Sequence, residues 1–401
     1  MENELGYYSV NNQKYTNKIQ AVLEAQKTLA EITWNFHNDI FNQIDWLTEP
    51  DLSLDILYKM RAQQIRDRYD YVIVMCSGGA DSTNVIKSFL DNNIHVDEIV
   101  AGAPMSGLNN WNWNDQDTSV NNTISETKYA LFPLLTSIAS QYPNVKITFN
   151  DYFENIINYK TDEWLYNCQD WINPVVNAKG RLDKFKHIVD LAEQGKRIGV
   201  VWGIDKPALR YDQEGNIYTI ISDTGVNVAD APFDKNYPNV DRILFYWAAN
   251  FPEIMIKQAH VVSKVAHKKE NLWLLDLIKK MGLGNNKWWK PNSPNDLMKD
   301  NHTKNDYQRS IVPLIYETTV EQVFQCQKSR FTFMPKQHDW FYTLHKDTPI
   351  YQLIDSDFRL FYKNLNKKYL KIDQTGTVFG FTSFIQTYKI GHYTKFMEPK
   401  L

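Results

Sequence analysis

Cysteine is scarce: the 401 residues hold three, Cys76, Cys168 and Cys326, far apart and with no CxxC pair. That spacing argues against a disulfide framework and against a cysteine-rich zinc or iron-sulfur site, and it fits a reducing compartment. Long apolar runs are missing too. No stretch reaches the roughly 18 consecutive apolar residues that span a bilayer, and Met1-Glu2-Asn3-Glu4 has neither the basic residues nor the apolar run of a secretory signal. A soluble, cytoplasmic protein without membrane contact is the expectation. No charge of one sign dominates the whole, since the net is -3. The balance is uneven, however: residues 256–401 carry 23 Lys and Arg against 13 Asp and Glu, and the rest 21 against 34. The basic part suits contact with phosphates or nucleic acid, and equally a solvated lysine-rich surface. With 43% hydrophobic and 23% charged residues, the chain is rich enough in apolar groups to fold into two domains or one elaborated domain.

Helical spacing of Ile19, Val22, Leu23, Ala25 and Leu29 predicts a helix over 17–30. Leu54, Ile56, Leu57, Met60 and Ile65 predict another over 53–68. The aromatic stretch from Trp34 to Trp46 reads as a cap packed on the next domain. At Tyr71 the period changes. Tyr71-Val72-Ile73-Val74-Met75 is a short apolar run that suits a buried parallel strand. Further strands are expected at 98–102, 145–149 and 198–202, alternating with helices at 81–91, 127–141 and 184–194. This alternation predicts an α/β fold with a doubly wound parallel sheet. We divide the chain into a helical and aromatic cap (1–68), a nucleotide-binding domain (69–237) and a basic, mainly helical C-terminal region (238–401). In that last part Leu272, Leu275, Ile278 and Met281 are spaced for one buried face. Intervals holding Trp111, Trp113, Trp164 and Trp171 are expected to be substrate-side loops.

Between the strand at 71 and the helix after it lies Ser77-Gly78-Gly79-Ala80-Asp81-Ser82. Two glycines let the backbone bend so that successive N–H groups face an anion, and the helix N-terminus adds its positive end. Ser77 and Ser82 supply hydroxyl donors. Asp81 is placed to cap the helix or to hold Mg²⁺. The Gly-Lys-Ser/Thr of the Walker loop is absent, so the arrangement for γ-phosphoryl transfer is not there. A second constellation comes after the strand at 198: Gly203, Asp205, Lys206 and Arg210 stand beyond its carboxyl end. Carboxyl ends of parallel strands share one crevice, which would bring Lys206 and Arg210 to phosphates and Asp205 to a magnesium ion. A polar turn punctuated by Pro207 is the other reading.

The loop resembles, position for position, the SGGxDS loop of the N-type ATP pyrophosphatases, the PP-loop family. The resemblance is close over 70–90 and looser to about residue 210. It implies a Rossmann-like fold of the adenine nucleotide α-hydrolase type, with ATP and Mg²⁺ as cofactors. It implies cleavage between the α- and β-phosphates, with Ser77, Gly78, Gly79, Ala80, Asp81 and Ser82 on the pyrophosphate. Adenine would lie near Ala101, Gly102 and Ala103. Within the family the chain looks most like the synthetase half of asparagine synthetases, and it also resembles PP-loop proteins of large tailed phages. Glu2 after Met1 removes an N-terminal cysteine nucleophile, and the missing cysteine pairs argue against sulfur-handling members. An AMP-forming ligase acting on a small-molecule or nucleotide acceptor is the first reading. Modification of a nucleotide, tRNA or nucleic-acid base is the second, and a non-catalytic ATP sensor the third.

Other residues of chemical interest read as structural. Cys76, at a strand end, suits a buried small residue better than a nucleophile. His260 and His267, like His338 and His345, are seven apart and share a helical face without forming a metal motif. The stretch from Lys328 to Trp340 mixes cations with aromatics, as nucleic-acid contact or ordinary packing would both require.

Overall fold

In the computed structural model the described residues are 6–103, 105–108, 127–151, 182–227, 237–280, 307, 310–316, 364–372 and 378–397. The four tryptophans of the expected substrate loops, the 328–340 stretch, His338 and His345 lie outside them.

The N-terminal part is not all helical. Strands β1 (Tyr7–Val10) and β2 (Gln13–Tyr15) form a hairpin, and β1 also pairs antiparallel with β3 (Thr33–Asn35). Helix α1 (Lys18–Thr28) lies between β2 and β3 in sequence. The Asn17 side chain caps α1, accepting from the N–H groups of Ile19 and Gln20 at 3.0 and 3.1 Å. Leu29, expected on its buried face, is the left-handed C-cap at φ 58° and stays exposed. A short helix α2 (Asn38–Phe41) comes next, then α3 (Leu54–Arg68). On α3 the buried stripe is Leu57, Tyr58, Arg61, Ala62 and Ile65, whereas Ile56 and Met60 are exposed. Arg61 replaces the expected apolar residues because its guanidinium reaches the Leu244 carbonyl, Gln64 and Asn250. The aromatic cap packs on the far end of the chain: Trp46 stacks on Tyr388 at 4.4 Å, and Phe41 meets Tyr388 edge-on.

Next come β4 (Tyr71–Cys76), α4 (Ala80–Leu90), β5 (Glu98–Ala103), α5 (Phe132–Gln141), β6 (Lys146–Asp151), α6 (Lys186–Glu193) and β7 (Ile198–Trp202). A π-helical turn at Thr127–Leu131 leads into α5. These elements stand within a few residues of the expected positions. Val72, Ile73 and Val74 are fully buried, as strands covered on both faces require.

After β7 the chain makes an antiparallel hairpin, β8 (Ala208–Tyr211) and β9 (Asn216–Ser222), then a short helix α7 (Asp223–Asn227). It then returns to the parallel sheet as β10 (Val240–Leu244), which lies past the division drawn at 237/238. Helices α8 (Glu253–Ala266) and α9 (Leu272–Lys280) come after it. Leu275 and Ile278 of α9 are buried, while Leu272 is exposed at its first turn. Strands β11 (Leu370–Ile372), β12 (Val378–Phe381) and β13 (Ile385–His392) complete the described chain. Because β13 pairs along the whole of β9, the C-terminus belongs to the same body as residues 208–222. The "mainly helical" expectation for the C-terminal region missed these strands.

The central sheet is all parallel, in the order β10-β7-β4-β5-β6, with helices flanking it. The protein is therefore α/β with a Rossmann-like five-stranded sheet. From β4 the chain steps outward to β5 and β6, then crosses back to place β7 on the other side of β4. The direction of winding reverses between β4 and β7, and open α/β sheets bind ligands outside the carboxyl ends at such a point. Among the described residues no helix is long and apolar enough to cross a membrane.

Candidate nucleotide site

Cys76 and Trp202 end the two strands that flank the reversal, and the loop of interest leaves from the first of them. Gly78 adopts φ +81°, and a Cβ there would come within 2.6 Å of the Leu131 backbone. Only glycine combines that left-handed turn with so close an approach. The loop is held from within. Ser77 N–H donates to Ser82 Oγ and Gly79 N–H to Ser77 Oγ, both at 3.2 Å, and Ser82 Oγ donates to the Gly79 carbonyl at 3.2 Å. Gly79 is the N-cap of α4 and supplies no side-chain cap, which leaves the first-turn N–H groups of α4 without a side-chain acceptor at that position. Ala80 opens the helix, Ser77 is exposed, and Ser82 is buried.

Gly203 ties the second strand to this loop. A Cβ on it would lie 2.9 Å from the Asp81 carbonyl carbon and 3.0 Å from Ser82 N. If the loop binds pyrophosphate as its resemblance implies, Gly203→Ala is expected to push the loop away from β7 and weaken that binding about tenfold or more, with little loss of helix content. Titration calorimetry beside circular dichroism checks this.

Past Gly203 the chain brings Lys206 back onto the loop. Its ammonium forms an ion pair with Asp81 Oδ2 and lies 3.9 Å from Asp205 Oδ1, and its side chain is 8% exposed. Asp205 Oδ1 also accepts from the Lys206 N–H at 2.7 Å. Of the expected site residues, Asp81, Ser82, Gly203, Asp205 and Lys206 thus meet in one place. Arg210 sits one strand further on. It is buried on β8, where Nη1 donates to the Leu209 carbonyl at 2.6 Å, and burial pushes its pKa down to about 9. Tyr307 is its near neighbour and links that patch to the turn by donating to the Pro207 carbonyl at 2.8 Å. Ala101, Gly102 and Ala103 stand at the carboxyl end of β5, beside β4, with Ala101 paired to Cys76. Both alanines are buried and Gly102 is half-buried.

Sequence reasoning missed a group of tyrosines around Asp81. Tyr316 OH donates to Asp81 Oδ1 at 2.7 Å, and Tyr246 OH donates to the Asp81 carbonyl at 2.9 Å while accepting from Asn84 Nδ2 at 3.0 Å. The two rings stack with centroids 5.3 Å apart. Burial first, and for Tyr316 then the Asp81 carboxylate, raises both phenols well above their ordinary value, so they remain donors. No spacing in the sequence marks residues so far from the loop in a chain with 23 tyrosines. Trp202 stands at the end of β7 with a buried indole Nε1 that has no hydrogen-bond partner among the described residues.

Among the described residues no three metal-ligating side chains cluster. Asp81 and Asp205, the two carboxylates of the expected magnesium site, both face the Lys206 ammonium, so a magnesium ion bound with substrate phosphates would have to share them with it. Cys76 is buried, at 5% exposure. His260 and His267 are packing residues on α8 and its C-cap, both against Phe396. His267 Nδ1 donates to the Ser263 carbonyl, and Nε2 accepts from Tyr211 OH. His260 Nε2 donates to the Trp46 carbonyl, and burial lowers its pKa below 6.5. The unfolded chain then binds the proton first as pH falls, so the stabilisation is present above about pH 6.5 and is lost progressively below it. Urea midpoints measured from pH 7.5 to 5.5 should fall, and less steeply in His260→Gln.

No protein-family model matches the chain, and neither does any curated protein.

Proposed function

We propose that the protein is an ATP pyrophosphatase of the PP-loop type: an AMP-forming ligase that adenylates an oxygen of its acceptor and then transfers a nitrogen nucleophile. The observation that carries this reading is the meeting of Lys206 with the Ser77–Ser82 loop at the reversal point of a parallel sheet. A left-handed glycine, two hydroxyls and a glycine-capped helix N-terminus suit a diphosphate better than a single phosphate, because they spread donors along the loop.

In the reaction, an acceptor oxygen bonds to the α-phosphorus as the bond from that phosphorus to the α,β-bridging oxygen breaks, and pyrophosphate carries the electron pair away. The nitrogen nucleophile then displaces AMP. The first-turn N–H groups of α4 and the exposed Ser77 hydroxyl bind the departing pyrophosphate, and Ser82 joins them by exchanging its bond to the Gly79 carbonyl for one to phosphate. Lys206 neutralises its growing charge from the β7 side, exchanging part of its Asp81 contact for phosphate. Asp81 and Asp205 would hold Mg²⁺, which supplies further charge neutralisation when bound. Ala101, Gly102 and Ala103 offer a small-residue surface for adenine, while Arg210, expected at the phosphates, is buried on β8 with Nη1 on the Leu209 carbonyl and takes no part in this reading.

Calorimetric titration with Mg²⁺-pyrophosphate and with Mg²⁺·α,β-methylene-ATP tests the site without knowing the acceptor. The two ligands are expected to compete for one site, with orthophosphate far weaker. If neither binds, the reading is wrong.

A further inference from the structure

Tyr316 reaches the loop from a part of the chain more than two hundred residues away. It closes the turn of the helical residues 310–315, its N–H donating to the Val312 carbonyl at 2.9 Å. Ile311, Val312 and Ile315 are buried, which docks this segment firmly. From behind, Tyr58 OH donates to the Ile315 carbonyl and is itself held by Gln258 Nε2 at 2.9 Å. The phenol at the front therefore has a fixed position when it donates to Asp81.

That single bond has a specific consequence. The Asp81 carboxylate is shared between two partners, Tyr316 at Oδ1 and Lys206 at Oδ2, while Tyr246 fixes the Asp81 backbone carbonyl. A carboxylate held by only one partner turns about its χ angles; held by two, it presents one geometry. Lys206 has a long, flexible stem, and its next carboxylate, Asp205, stands back at 3.9 Å, so Asp81 sets where its ammonium rests.

We infer that Tyr316 is a positioning residue of the nucleotide site: through Asp81 it fixes Lys206, and it makes the 310–316 segment of the C-terminal region part of the phosphate-binding unit. The inference rests on the pyrophosphatase reading of the loop.

Tyr316→Phe keeps the ring and its stacking on Tyr246 and deletes only the hydroxyl. Tyr58→Phe loosens the same segment from behind without touching Asp81. Calorimetric affinity for Mg²⁺·α,β-methylene-ATP, the Mg²⁺ concentration for half-saturation and the melting temperature are measured for the full-length wild type and both variants. Tyr316→Phe is expected to weaken the analogue about tenfold and to raise the Mg²⁺ requirement several-fold. Tyr58→Phe, which leaves the Tyr316–Asp81 bond in place, is expected to lower the melting temperature at least as much while weakening the analogue and raising the Mg²⁺ requirement far less than Tyr316→Phe does. Wild-type affinity in Tyr316→Phe overturns the inference, and so does equal weakening in Tyr58→Phe, which would show a purely structural role. Failure of the wild type to bind the analogue overturns the loop's reading itself, and this inference with it.

Discussion

On the pyrophosphatase reading, Lys206→Met is expected to weaken binding of Mg²⁺·α,β-methylene-ATP by more than about tenfold and to lower AMP formation by about a hundredfold or more, the scale seen when one preorganised group is taken from a developing negative charge. The side chain is 8% exposed and lies between Asp81 and Asp205, so its charge acts where water screens weakly. Methionine keeps the length and removes the charge. It also takes from Asp81 the cation that balances it, which costs stability, so melting must be followed beside affinity. Lys206→Arg retains the charge and is expected to restore little, because a planar fork does not fit a point contact on Asp81 Oδ2. A Lys206→Met variant that melts normally and binds the analogue like wild type would remove Lys206 from the site.

The second large effect is on folding. Lys18 and Asp223 form an ion pair at 2.8 Å with both side chains at 0% exposure. Asp223 also accepts from Tyr8 OH at 2.9 Å and from the Phe384 N–H at 2.9 Å. One carboxylate therefore joins β1, α1, α7 and the approach to β13, which are remote from each other in sequence. Removing one partner of such a pair strands a buried charge. Asp223→Asn is expected to destabilise by about 3–5 kcal/mol, and Lys18→Met by a similar amount. The double variant Lys18→Met/Asp223→Asn should recover part of the loss, since no charge is then left buried. Urea unfolding followed by tryptophan fluorescence checks this; additive losses in the double variant would contradict it.

What the sequence made legible depended on how local the cause was. The apolar run at Tyr71–Cys76, the glycines behind it and the helix after them depend on neighbours within about ten residues, and they appear where expected. Gly203, Asp205 and Lys206 were found by their position after a strand. Their meeting with Asp81 comes from β7 lying next to β4, a pairing between residues 127 apart. Strands β8, β9 and β13 escaped notice because their polarity does not follow burial, β13 burying Gln386 and exposing Ile385, and because each gains its stability from a partner, β13 pairing with β9 across some 170 positions. Tyr246 and Tyr316 escaped for a different reason. A tyrosine that holds the Asp81 carboxylate has the same local sequence as one that fills a core, and only the tertiary fold separates them.

The α,β-cleavage of ATP is tested most directly by product analysis. The full-length protein is incubated with Mg²⁺, ammonia, a panel of carboxylate and nucleotide acceptors, and ATP labelled at either the α- or the γ-phosphate, and the products are separated by chromatography. The α-label is expected in AMP and the γ-label in pyrophosphate, in equal amounts and only with a competent acceptor. Label appearing in ADP and orthophosphate would contradict α,β-cleavage.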